Sequence, residues 1–122
     1  MRRWLVVASV VVCLGLASSA AAGAALRVSF LGEAASVSAG SSWGYYLRAW
    51  ENGKPWTGEV SIAVTTLKGT VVDHVGLFLF PGSRLGSYIW NSKDKGRRFR
   101  FVVTFLQFGK PVGTAAYVVH VT

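Results

Sequence analysis

Hydrophobic and polar positions alternate most regularly between 40 and 64, in GSSWGYYLRAWENGKPWTGEVSIAV. Trp43, Tyr45, Leu47 and Ala49 fall on one parity, against Gly44, Tyr46, Arg48 and Trp50 on the other. Further on, Val60, Ile62 and Val64 alternate with Glu59, Ser61, Ala63 and Thr65. Successive side chains of a strand point to opposite faces, so the pattern predicts two half-buried strands, 42–50 and 58–66, forming a hairpin-like pair. A slip of one residue would exchange Trp43, Tyr45 and Leu47 for Tyr46, Arg48 and Trp50, and the pattern leaves open which face is buried. Between the strands, Glu51-Asn52-Gly53-Lys54-Pro55 is turn chemistry: Gly53 tolerates positive φ and Pro55 has no N–H for a ladder.

The same grammar runs through the rest of the chain. Val28 and Phe30 alternate with Arg27 and Ser29 in a first strand, 26–31, followed by a small, polar loop with a short edge segment around Val37. Lys68-Gly69 leads into an apolar strand at 70–79, where Gly76 marks a bulge or kink. Phe80-Pro81-Gly82-Ser83 is a strong turn before a strand at 85–90, and NSKDKG (91–96) is a charged turn. In 98–106, Phe99, Phe101, Val103 and Phe105 face inward, and Arg98, Arg100, Val102 and Thr104 outward. A last strand spans 112–121. Seven short strands with turns between them predict an all-β fold, a β-sandwich, with a six- or seven-stranded barrel as the alternative.

One internal similarity carries more. YLRAWENGKPWTG (46–58) and VVTFLQFGKPVGT (102–114) each place an apolar strand, two residues, Gly-Lys-Pro and a new strand in that order. Ancestral duplication and simple reuse of a good turn both explain it. With the strands lettered A to G, these are the B–C and F–G connections, which leave an immunoglobulin-like sandwich at one end. On this pattern, Asn52-Gly53-Lys54-Pro55, a short link to Gly58, then Val60-x-Ile62-x-Val64, the chain resembles immunoglobulin-like modules of exported bacterial proteins. The resemblance covers most of 25–122 and implies a seven-stranded immunoglobulin-like or fibronectin-III-like β-sandwich, but no activity. The chain lacks the cysteine pair of antibody-type domains and would stand alone behind its leader.

That leader has the layout of a secretory signal peptide: basic Arg2-Arg3, an apolar run from Trp4 to Leu16, then small residues to Ala25. A signal helix over 1–24, cleaved after Ala24, leaves a domain at 25–122 that is secreted or extracytoplasmic. An uncleaved anchor is the alternative, since the run approaches the ~20 residues of a membrane span. Cys13, the one cysteine, follows Val10-Val11-Val12 rather than the small residues a lipoprotein signal requires, so the exported domain would hold no disulfide. Of the formal charge of +8, Arg2 and Arg3 supply two, leaving +6 on this basic domain. Such a balance favours anionic lipid or acidic envelope polymer, and disfavours nucleic acid for an exported chain.

Catalytic constellations are missing. His74 and His120 are the only histidines, with no second ligand at metal-binding spacing. Gly82-Ser83-Arg84-Leu85-Gly86 misplaces the serine of a nucleophile elbow, and the five carboxylates show no acid–base pairing. The reading is therefore non-enzymatic, with no catalytic residue, metal or cofactor. Of the tryptophans, Trp43 and Trp90 belong to the core, and Trp56 lies in the B–C loop as either a plug or an exposed contact. Arg98 and Arg100 are expected to pair across strands with Glu59. The contacts expected at the B–C/D–E/F–G end are Lys54, Trp56, Arg84, Phe108 and Lys110, binding a protein or envelope component. A carbohydrate-binding strip of Tyr46, Trp50 and Trp56, and a structural envelope protein held by charge alone, are the competing readings; the membrane would be met only transiently, through the leader.

Overall fold

A computed structural model of the chain describes residues 26–122; the signal segment expected at 1–24, with its helix, its cleavage site and Cys13, lies outside them. The described residues are all-β. Nine strands follow in order: β1 (Arg27–Gly32), β2 (Ser36–Val37), β3 (Ser42–Glu51), β4 (Lys54–Pro55), β5 (Gly58–Thr66), β6 (Val71–Phe80), β7 (Ser83–Ile89), β8 (Arg98–Gln107) and β9 (Lys110–Val121). A 3-10 turn at Ser92–Asp94 is capped by Asn91, whose Oδ1 accepts the Lys93 amide at 2.7 Å. The strands form two sheets, consistent with a β-sandwich. In the smaller sheet β1 and β7 flank β3, with β4 folded back on its end. The larger has the order β2-β9-β8-β5-β6, antiparallel except for the β2–β9 pair.

One expectation is corrected here. Strands 42–50 and 58–66 do not form a hairpin-like pair; β3 and β5 lie in opposite sheets. After two residues of pairing with β3, the Trp56 amide donates to Ala49 O at 3.0 Å. The Trp56 side chain then enters the interior, and the backbone crosses with it. Both strands have an uninterrupted apolar parity, so each buries it best against an opposing sheet about 10 Å away.

That parity is resolved in favour of Trp43, Tyr45, Leu47 and Ala49, all buried, while Tyr46, Arg48 and Trp50 face outward. From the other sheet Phe99, Phe101, Val103 and Phe105 meet them. Phe101 is the hub, its ring centroid 4.9 Å from Tyr45, 5.2 Å from Trp43, 5.6 Å from Tyr88 and 5.9 Å from Phe30. All four contacts are tilted or edge-on, the orientations that bring ring edges toward ring faces. Gly86, opposite Tyr45 on β7, is part of this packing: a Cβ there would stand 2.5 Å from the tyrosine ring. Gly76 sits at a register shift in β6, with φ of 151°, so the free edge of the larger sheet is bulged.

Phe101→Ala is expected to lower unfolding free energy by about 3–5 kcal/mol, because the hub leaves a cavity between two sheets. Tyr46→Ala, on the outward face, should cost under about 1 kcal/mol. Urea denaturation of both variants checks the pair; equal costs would contradict this assignment of the buried face.

Candidate functional site

Three connections meet at one end of the molecule: 52–53 after β3, 81–82 between β6 and β7, and 108–109 between β8 and β9. They are tied together. The Ala49 amide donates to Gly82 O at 3.2 Å, and a Cβ on Gly82 would lie 3.0 Å from that of Pro55. The Gln107 amide nitrogen donates to Thr57 O at 3.4 Å. The chain also enters here, since Arg27 is opposite Trp50, beside the 52–53 turn. A shallow, open depression of about 330 Å³ is lined by Glu51, Asn52, Lys54, Pro55, Trp56, Thr57 and Gln107.

Trp56 closes the interior beneath it. It is 4% exposed, with its ring packed on Phe80 and Phe105 and its indole N–H donating to Gln107 Oε1 at 3.4 Å. Of the two expectations for Trp56, the plug is the one present, and its place among the contacts for partners is corrected. Gly58 makes the room, because a Cβ there would lie 2.4 Å from the Trp56 ring. Arg84 is corrected too. As the second residue of β7, opposite buried Leu47, it points between the sheets rather than out of a turn. Its Nε–H donates to Tyr45 Oη at 3.2 Å and its guanidinium lies 3.8 Å from the Phe78 ring centroid, which closes the gap between edge strands β6 and β7.

Lys54, Phe108 and Lys110 remain as the expected contacts that reach solvent. Their setting explains the internal similarity. Asn52-Gly53 have φ of 55° and 76°; Phe108-Gly109 have 52° and 79°. Positive φ at both central residues marks the two-residue hairpin turn whose preferred sequence is Asn-Gly. The first turn has that sequence. The second puts phenylalanine where asparagine belongs, at a backbone cost of roughly 1–2 kcal/mol. Nothing among the described residues offsets this by burial, since Phe108 is 96% exposed.

Other expected features are dispersed. Tyr46 and Trp50 share the outer face of the smaller sheet, with the Arg48 guanidinium 4.5 Å from the Trp50 ring centroid. Trp56, in the core, cannot join them in a flat carbohydrate strip. Glu59 lies opposite Leu106 and Leu79, whereas Arg100 lies opposite Thr65, six residues or roughly 20 Å along β5. The expected cross-strand ion pairs therefore do not form; Arg100 Nη1 instead donates to Leu67 O at 2.8 Å. Among the described residues the ion pair present is Arg97–Asp94, at 3.4 Å. No three His, Cys, Asp or Glu side chains among the described residues converge as metal ligands.

Sequence reasoning missed Glu51, Asn52, Thr57 and Gln107 as lining residues, and the exposed Leu79 and Leu85 on the strands beside the 81–82 turn. The outward parity of the two leucines was the available signal. On the adjoining edge the Tyr88 hydroxyl donates to Asp73. Burial first, then that hydrogen bond and the charges of Asp73 and Asp94, push the Tyr88 hydroxyl well above the usual tyrosine range. Comparison of the chain with protein-family models, with curated proteins and with solved structures returns no match.

Two outcomes follow from this geometry. Phe108→Asn should stabilise the fold by about 1 kcal/mol, read as a higher thermal midpoint, since it restores the residue the turn prefers; no gain would mean the turn is not strained. Tyr88 has a raised folded pKa, so its contribution is present below the unfolded value of about 10 and is lost as pH rises beyond it. Tyr88→Phe should accordingly flatten the loss of stability measured by urea titration above about pH 10. An unchanged slope would assign the alkaline loss elsewhere.

Proposed function

We propose that the chain is a small, exported, non-catalytic immunoglobulin-like module that binds a protein or cell-envelope component through the end formed by the turns at 52–53, 81–82 and 108–109. The observation that carries this reading is Phe108, a bulky aromatic in a strained turn and 96% exposed. Side chains that cost stability and gain no internal contact are characteristic of surfaces used outward. Strand order supports the immunoglobulin-like part. The first, second and fifth long strands share one sheet; the third, fourth, sixth and seventh share the other, with the fourth beside the third. Export is supported by the composition of 1–24.

A second reading, attachment by charge alone, is favoured by a different observation. Arg98 and Arg100 stand on the outer face of β8 near Lys68, with Lys93, Lys95 and Arg97 in the adjoining turn, and Glu59 is too distant to neutralise them. Charge attraction of this kind is screened by salt.

Retention of envelope components by the immobilised protein along a salt gradient separates the two. On the first reading a discrete component stays bound at high salt, and Phe108→Ala weakens its retention at least fivefold, the loss typical of a central contact. On the second, everything elutes at modest salt, Phe108→Ala changes nothing, and the R98E/R100E variant releases the bound material.

A further inference from the structure

We infer that the partner of the turn end is an anionic membrane surface, into whose interfacial layer Phe108 inserts, with Lys110 on the same hairpin and Lys54 on the twin turn held at its headgroups. This rests on the reading of the same end as the binding surface and names what it binds. The end carries twin turns. Both have positive φ at both central residues, both end in glycine and are followed by Lys-Pro, and they differ at the first turn residue: asparagine in one, phenylalanine in the other. The Gly-Lys-Pro repeat therefore sets two exposed lysines at equivalent places, Lys54 opposite Glu51 and Lys110 opposite Gln107. Neither lysine is in an ion pair among the described residues.

The shape of the end selects among partners. Phe108 stands at the tip of a hairpin rather than in a recess, an arrangement that suits a partner soft enough to accept one projecting ring. A bilayer interface is such a medium: an aromatic ring enters the boundary between headgroups and acyl chains, while lysine ammonium groups stay with anionic headgroups and their stems lie along apolar surface. Exposed Leu79 and Leu85 flank the end on the outer faces of the two sheets. Position in the chain agrees. Leu26 leads out beside the 52–53 turn, and the residues preceding it include the apolar run from Trp4 to Leu16. A run held by a membrane would thus join the domain on the side of the end bearing Phe108. The rival orientation puts the cationic face of Arg98 and Arg100, at the opposite end, on the lipid.

The test uses the full-length protein carrying Phe108→Trp, with the parent as reference, and vesicles of phosphatidylcholine and brominated phosphatidylglycerol. Emission gained over the parent should shift to the blue and be quenched several-fold by the brominated lipid, and adding K54E/K110E should weaken that quenching. Emission that vesicles leave unmoved overturns the inference, most directly if the protein still sediments with them and R98E/R100E releases it. The two readings fail separately. Unmoved emission with Phe108-dependent capture from envelope extract keeps the binding end and removes the membrane as its partner; loss of both removes both.

Discussion

Two sheets lie face to face here because their aromatic side chains interleave, and Phe101 is the point through which most of that contact runs. Tyr45 and Trp43 come to it from β3, Phe30 from β1 and Tyr88 from β7. Rings of this size bury much area per residue, so a chain with no cysteine among its described residues holds a two-sheet core without a covalent tie. They also keep the sheets apart at the ends and edges, where smaller side chains would let them close. Those openings need covers. Trp56 fills the end, and Arg84 with Tyr88 fills the edge between β6 and β7.

Trp56 links the fold to the candidate site. Its descent onto Phe80 and Phe105 carries the backbone from one sheet to the other, and its bond to Gln107 ties the first turn to the strand that ends in the second. The 52–53 and 108–109 turns thus stand on a common floor. A packed floor under a strained tip keeps the exposed Phe108 ring projecting rather than folded back.

Much of this was legible along the chain, and the limits have physical causes. Strict alternation named the buried members of β3, β5 and β8, because the side-chain period of a strand reports its faces directly. Alternation says nothing about which strand lies beside which, so β3 and β5 were expected to pair when they face each other across the core. The same blindness to register paired Glu59 with Arg98 and Arg100, which β5 places near opposite ends of the sheet. Loop position, which is read from the sequence, leaves Trp56 open between plug and contact and places Arg84 at the surface, whereas burial depends on the gap a side chain finds. The repeated Gly-Lys-Pro is visible in the sequence; the matching positive φ angles that make Phe108 anomalous are a property of the backbone.

Phe108 projects from the free protein with its ring unused by the fold. Nuclear Overhauser contacts of Phe108 in the free protein test this most directly. A strong contact between its own amide and α protons, the mark of positive φ, with no ring contact beyond neighbouring residues, is the predicted result. Ring contacts to Trp56, Pro55 or Thr57 would show the side chain folded over the end as a second plug, and would contradict it.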